Sequence, residues 1–293
     1  MAGEAAPIPD GAAAPLPDAR YDVDASANGD ATVAADAADP DAPGAQGDAS
    51  PGDVGAAESG PVSDGWSLSF NGANSYVDCG GVPIPGDFTI EAWVRPSAFN
   101  GETYVLAEDE RNDSQGQFRF GFVPGGQLFF YMTDAGGNDY GLFAGGHYAL
   151  VSPAPVPTGA WSEVAVTKAG ADFALLVGGA QVASFTASAA FSYGNGGKQL
   201  PLRIGSRVAP NGASADGVFA GLVDEVRLWD VARTPAQIQA AMGDEIAPND
   251  PAWSDLQDYW PFDEGSGTTT ADRSGAHPGT LVSGLVWTKI APF

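Results

Sequence analysis

The chain has 293 residues, with 37 acids against 12 Lys and Arg and a formal charge of −25. That balance excludes a nucleic-acid binder, whose phosphate contacts need Lys and Arg, and it argues against anionic membrane surfaces. No run of about eighteen apolar residues occurs, so no segment reads as a membrane-spanning helix, and the single cysteine, Cys79, excludes an intrachain disulfide.

Residues 1–64 are Ala, Pro, Asp and Gly in long runs, with 13 acids against one base, or −12; the remainder carries −13. All seven Trp and all fifteen Phe lie after residue 64. Such one-sided charge with little apolar surface cannot offset chain entropy, so the segment is expected to be disordered. MAGEAAPIPD has neither a basic start nor an apolar stretch, so no signal peptide is visible. The acidic tail resembles the stalks that follow the lipidated cysteine of bacterial surface lipoproteins. The expectation is a precursor with a signal and a lipid anchor, placing the protein outside the cell or on a bacterial surface. A cytosolic protein with a solubilising tail is the alternative. A flexible coil of this length spans about 45 Å, enough to hold a domain off a surface.

Residues 65–293 read as one large all-β domain. Short β-prone runs punctuated by Gly, Pro and Asn dominate. WSLSF (66–70) and SYVDC (75–79) flank the turn NGAN and suggest a hairpin. FTIEAWV (88–94), TYVLAE (103–108), QFRFGFV (117–123), QLFFYM (127–132) and WSEVAVTK (161–168) follow. FALLVGG (173–179) and AQVASFT (180–186) are joined at Gly178-Gly179, a tight-hairpin signal; PLRIGS (201–206) comes next. In GLVDEVRLWD (221–230), alternation puts Leu222, Val226 and Leu228 on one face and Asp224 among them, with Glu225 and Arg227 on the other. Thr234-Pro235-Ala236-Gln237 then carries a capping residue, Pro in the first turn and Gln at the third position, predicting a short helix to about 242 with Ile238, Ala241 and Met242 on one face. The spacing predicts a two-sheet antiparallel sandwich.

SLSFNGANSYVDCG, FTIEAWVRP, GAWSEVAVTKAGADFALLVGGAQVASF and FAGLVDEVRLWDVARTPAQIQAAM occur in the order of the laminin G-like, concanavalin A-like lectin and glucanase family, which this chain resembles over much of 67–242. YWPFDEGSGTTTADRSGAHPGTL (259–281) resembles a block that often opens such domains; here it is expected to close this one, with LVSGLVW as a further strand, the alternative being the start of a second, truncated repeat. The resemblance implies a concanavalin A-like jelly roll with one short helix.

It also frames three explanations of Asp224. Laminarinase-type relatives place acids at alternate positions of one strand, which suits glycoside hydrolysis; here Asp224 is followed at that spacing by Val226 and Leu228, and Glu108-Asp109-Glu110 runs into a loop-like composition. No GxSxG, HExxH or phosphate loop occurs, and His147 and His277 lack metal-type spacing. Relatives of the laminin G and pentraxin type often bind calcium, which implies a structural calcium held by Asp224, Asp263, Glu264 and Asp272 with Asn71 and Asn74 as neutral oxygens. Against that, Asp before Ser-Gly often forms a side-chain-to-backbone turn, and Asn71 stands where the family shows Asp. Third, Asp224 is a structural group satisfied by an arginine or by several N–H donors, with Arg203 or Arg207 favoured over Arg227 as the arginine.

Sugar contacts are expected from TDAGGNDYGLFAGGHYAL (133–150), which mixes Tyr140, Phe143, His147 and Tyr148 with Asp134, Asn138 and Asp139 on a Gly-rich connection. These aromatics could instead pack beneath the loop, and Trp93, Trp161 and Trp229 are expected to pack in the core or on a sheet face. The expected function is non-catalytic binding of a glycan or another surface polymer. A protein-binding adhesion module and a structural exported protein are the alternatives.

Overall fold

The computed structural model describes residues 65–108, 118–133, 150–187, 200–209 and 214–293, plus short backbone strands inside 139–148. Residues 1–64 lie outside the described residues.

The first strands are β1 (Ser67–Asn71), β2 (Tyr76–Gly81), β3 (Phe88–Pro96), β4 (Thr103–Glu108), β5 (Phe118–Phe122) and β6 (Gln127–Thr133). Three two-residue strands, β7 (Asp139–Tyr140), β8 (Leu142–Phe143) and β9 (His147–Tyr148), precede β10 (Leu150–Pro155), β11 (Ser162–Ala169), β12 (Asp172–Val177) and β13 (Ala180–Thr186). Then come β14 (Pro201–Ile204), β15 (Arg207–Val208), β16 (Ala215–Asp216), β17 (Ala220–Trp229) and the helix α1 (Pro235–Ala241). The chain closes with β18 (Leu256–Trp260), β19 (Thr269–Thr270), β20 (Gly279–Val282) and β21 (Val286–Thr288).

Two antiparallel sheets form the sandwich. The first has the order β13-β12-β11-β3-β17-β1-β21, with β18 also on β17; the second runs β10-β6-β5-β4-β14-β2-β20-β19. Their inner faces bury one continuous core that includes Ile90, Val94, Val166 and Val223 from the first sheet and Val77, Phe120, Leu128 and Ile204 from the second. Phe130 bridges the layers, its ring 5.9 Å from those of Phe88 and Phe173. The closing block joins the same sandwich, since β20 pairs with β2 and β21 with β1.

Two local signals in the sequence are realised as read. Gly178 and Gly179 take φ of 58° and 68°, as a two-residue hairpin between β12 and β13 requires. Thr234 accepts the N–H of Gln237, and the Gln237 side chain returns to the N–H of Thr234, so the capping box starts α1, whose buried residue is Ile238.

Two others are corrected. Residues 66–79 are not a hairpin: β1 lies in the first sheet and β2 in the second. The turn between them crosses the sandwich and is organised by Asn71, whose Oδ1 accepts the N–H groups of Ala73, Asn74 and Ser75 at 2.9, 3.0 and 3.2 Å. A turn signal marks where a chain reverses, not which strand it then pairs with.

The alternation along β17 is interrupted as well. Asp224 stands opposite Trp93 and Arg227 opposite Glu91, so two residues of β17 face one of β3. This is a β-bulge, with Glu225 at φ 52°. The extra residue flips the phase: Val223, Val226 and Leu228 enter the core, while Asp224, Arg227 and Trp229 share the outer face with Trp93, Glu91 and Thr89. Asp224 therefore does not sit among the core aliphatics.

Candidate functional site

The outer face of the first sheet carries a layer of buried charge beneath α1 and the segment that follows it. The bulge aims Arg227 outward, where its guanidinium donates to the Glu225 carboxylate and to the carbonyl of Ala241 at 3.0 Å, and lies 3.6 Å from Glu91. Tyr259 completes Glu225 by donating its hydroxyl at 2.7 Å. Arg233 donates to Glu91 at 2.9 Å and to the Gln237 carbonyl at 3.0 Å, with its guanidinium 3.9 Å above the Trp229 ring. Trp93 donates Nε1–H to the Met242 carbonyl at 2.7 Å. These bonds tie the helix and its exit to the sheet.

Asp224 is nearly fully buried, and its Oδ1 accepts the N–H of Glu225 at 3.0 Å. Burial, then the charge of Glu225, pushes its carboxyl well above the usual range. Among the described residues no arginine or lysine makes an ion pair with it. The expected partners serve elsewhere: Arg203 lies over the Tyr76 ring at 4.1 Å and donates to the Ser214 carbonyl, and Arg207 pairs with Asp216. Both belong to the second sheet's side of the sandwich, which Asp224 faces away from.

The six expected metal ligands fall into separate local groups. Asn71 donates to Asn74 at 2.8 Å while its carbonyl oxygen is spent on the crossover turn. Glu264 accepts from the Thr270 hydroxyl and the Ala271 N–H. Asp272 accepts the N–H groups of Tyr259, Ser274 and His277 and lies with Asp258 and His277, whose Nδ1 is 2.6 Å from Asp258. Asp263 lies with Glu225 and Glu245, but Arg273 reaches into that group and donates to both Glu245 and Asp263 at 2.6 Å. A guanidinium there supplies the positive charge that a metal would bring. As a set, these oxygens do not fit a calcium ion, which needs six to eight converging on one point.

The sandwich rim holds an open cleft of about 470 Å³. Three connections build it: the β1–β2 crossover at Gly72 and Ala73, the β3–β4 loop at Ala98, Asn100 and Glu102, and the β15–β16 hairpin with the turn after it. Arg207 and Asp216 face each other across that hairpin. Arg207 donates through Nε and Nη2 to one oxygen of Asp216, at 3.0 and 2.7 Å. Tyr104 donates its hydroxyl to Glu102, and its ring is buried under Gly217, where a Cβ would lie 2.0 Å from Cε2. The cleft therefore presents amide, carboxylate, guanidinium and backbone groups rather than a flat aromatic platform. Asn100, Glu102 and Asp216 were not among the expected site residues. Their signal in the sequence is weak: polar residues in the Gly-containing stretches FNGET and SADG.

Asp134 and Asn138 lie outside the described residues. Asp139, Tyr140, Phe143, His147 and Tyr148 fall on β7, β8 and β9, but their side chains lie outside what is described. Of the tryptophans, Trp229 is fully buried and Trp93 half-buried, as sheet-face packing requires. Glu108 is buried in β4, opposite Leu202 and Phe118; Asp109 and Glu110 lie outside the described residues. Among the described residues no helix is long and apolar enough to cross a membrane.

Comparison with known proteins gives a family and a set of folds. Residues 71–239 match the Laminin_G_3 model, described as the concanavalin A-like lectin/glucanases superfamily. A proposed carbohydrate-binding protein from Bacteroides ovatus is similar in structure, with TM-score 0.57 and 22% identity, over 80% of this chain and 63% of that one. This chain thus spans less than two thirds of that protein's length. The heptameric SAP-like pentraxin of Limulus polyphemus follows, with TM-score 0.52 and 14% identity, over 78% of this chain and 96% of that one. The CBM40 of the Ruminococcus gnavus IT-sialidase, solved with α2,3 sialyllactose, gives TM-score 0.47 and 12% identity, over 61% of this chain and 98% of that one. No curated protein sequence matches.

Proposed function

The chain belongs to the concanavalin A-like lectin/glucanases superfamily, and from that premise we propose that its β-sandwich is a non-catalytic carbohydrate-binding module that works outside the cell or on a bacterial surface. The observation that carries this reading is the rim cleft. Its volume falls within the range of about 300–1,000 Å³ common for ligand sites, and it is lined by hydrogen-bonding groups held on a rigid scaffold. Asn100 is exposed at its edge. The name of the Bacteroides ovatus protein supports the same reading. Fold alone does not decide between lectin and enzyme; the outward turn of Asp224 and its separation from a second alternating acid favour the lectin. From the sequence pattern we assign further ligand contacts to Asp134, Asn138, Asp139, Tyr140, Phe143, His147 and Tyr148.

A glycan array with extracellular proteins as controls tests the proposal, followed by calorimetry on the best saccharide. Asn100→Ala is expected to weaken binding about five- to tenfold with stability unchanged within about 0.5 kcal/mol. Tyr140→Ala is expected to weaken it further if the ring stacks on sugar. Binding to protein controls alone would replace the lectin with an adhesion module. Turnover of β-glucans, lost in Glu108→Gln, would replace it with a hydrolase.

A further inference from the structure

We infer that the outer face of the first sheet carries a second binding site, in which Arg95 takes the carboxylate of an acidic saccharide such as an oligouronate. The saccharide class rests on the module reading above; the site is separate from the rim cleft.

Arg95, Leu222 and Ser69 stand opposite one another across β3, β17 and β1. Their neighbours Val94, Val223, Leu68 and Phe70 enter the core, so alternation turns this row outward. There it borders a hollow of about 290 Å³ together with Ser97, Gly159 and Gly221. Among the described residues, no Asp or Glu and no part of α1 lines this hollow, and Arg95 is its one charged group. The guanidinium is held in place: Nε donates to the Gly159 carbonyl at 2.8 Å, while the Gly159 N–H donates to the Pro96 carbonyl at 2.7 Å. Among the described residues, Nη1 and Nη2 have no hydrogen-bond or ion-pair partner. The half-buried Ser69 hydroxyl and the exposed Ser97 hydroxyl have none either.

A guanidinium anchored through Nε still offers two parallel N–H groups at its end, which match the two oxygens of a carboxylate. Elsewhere in the sandwich that demand is met internally, since Arg207, Arg227, Arg233 and Arg273 each meet a carboxylate. Arg95 makes no such pair in a chain with 37 acids. The two serine hydroxyls can donate and accept, which suits the hydroxyls beside a uronate carboxyl, and Leu222 gives a pyranose face an apolar floor. A peptide carboxylate brings no such neighbouring hydroxyls, so these groups favour the saccharide. The net charge opposes an anion at long range, but −12 of the −25 lies in residues 1–64, and physiological salt screens beyond about 8 Å.

The test titrates the full chain by calorimetry with a uronic-acid oligosaccharide, its carboxyl-reduced neutral form and an acidic peptide. The acidic saccharide is expected to bind at least about tenfold more tightly than its reduced form. Arg95→Gln is expected to erase that preference, and Arg95→Lys to keep only part of it, because an ammonium lacks the fork. Ser97→Asp leaves Arg95 and its bond to Gly159 in place but sets a competing carboxylate beside the hollow, so it is expected to erase the preference with the melting temperature unchanged. Asn100→Ala, at the rim, is expected to leave the preference intact. Equal or weaker binding of the acidic form, or a preference that survives Arg95→Gln, overturns this inference and leaves the module reading in place. Binding of the peptide but not of the uronate overturns the saccharide assignment. Binding of no saccharide, here or on the glycan array, overturns both.

Discussion

The outer face of the first sheet and the rim cleft are both built from arginines and carboxylates, yet they have opposite relations to water. Under α1, Arg227, Glu225 and Glu91 are almost wholly buried and are hydrogen-bonded to one another, to Tyr259 and Arg233 and to backbone carbonyls, with Arg227 Nε alone left without a partner among the described residues. At the rim, Asn100 is exposed and Glu102 and Asp216 are half-buried around an open volume. Charge that is enclosed and shared between neighbours fixes the position of a helix; at the rim, charge stays within reach of water. The same residue types therefore carry architecture in one place and line an open cleft in the other, and burial separates the two.

Removing Arg227 is the strongest way to probe that contrast. Arg227→Ala leaves Glu225 and Glu91 buried without their shared cation and is expected to cost about 3–5 kcal/mol in urea denaturation. A loss no larger than that of a surface substitution would mean that the layer is hydrated and resembles the rim.

Acid titration gives a smaller effect. Burial, then the charge of Glu91, pushes the Glu163 carboxyl up from its ordinary 4.5 to about 8. Burial also lifts Asp258 to about 6. The folded protein holds these protons at pH values where the unfolded chain releases them. Their contribution is full below the ordinary carboxyl range and is lost as pH rises through about 8 for Glu163. Thermal stability is expected to decline between pH 5 and 8, by at most about 1.4 kcal/mol per pH unit for each group. Glu163→Gln, which keeps the accepted N–H of Gly179 and stays neutral, is expected to flatten the upper part of that decline. An unchanged profile would remove Glu163 as its source.

Calcium is expected to have the smallest effect. Because Arg273 already bridges Glu245 and Asp263, and Asn71, Glu264 and Asp272 are engaged in turns, excess calcium or EDTA is expected to leave the melting temperature unchanged. A rise with calcium that EDTA reverses would mean that these groups rearrange around an ion.

Much of this was legible in the residues. The capping box at Thr234 and Gln237, the Gly178-Gly179 hairpin and the run of alternating strands depend on neighbours a few positions apart, and the ordered blocks from SLSF to QAAM carried the family. The site was less legible. Arg207 and Asp216 are nine residues apart and could be suspected as a pair, but Asn100 and Glu102 come to the same rim only through the sheet order. The aromatic-rich stretch 133–150 drew attention because aromatics and polar groups share a Gly-rich segment, a signal of composition that carries no geometry.

The sequence alone marked most of the longer strands, where the helix begins, and that an acidic tail precedes a β-rich domain, because these follow from periodicity, capping and charge along the chain; β10 and β18 were found only in the structure. Only the tertiary structure decided that β1 and β2 part into different sheets and that Asp224 turns away from the core. A turn residue cannot report its partner strand, and a single bulged residue at Glu225 reverses every side chain after it without altering the apparent pattern before it.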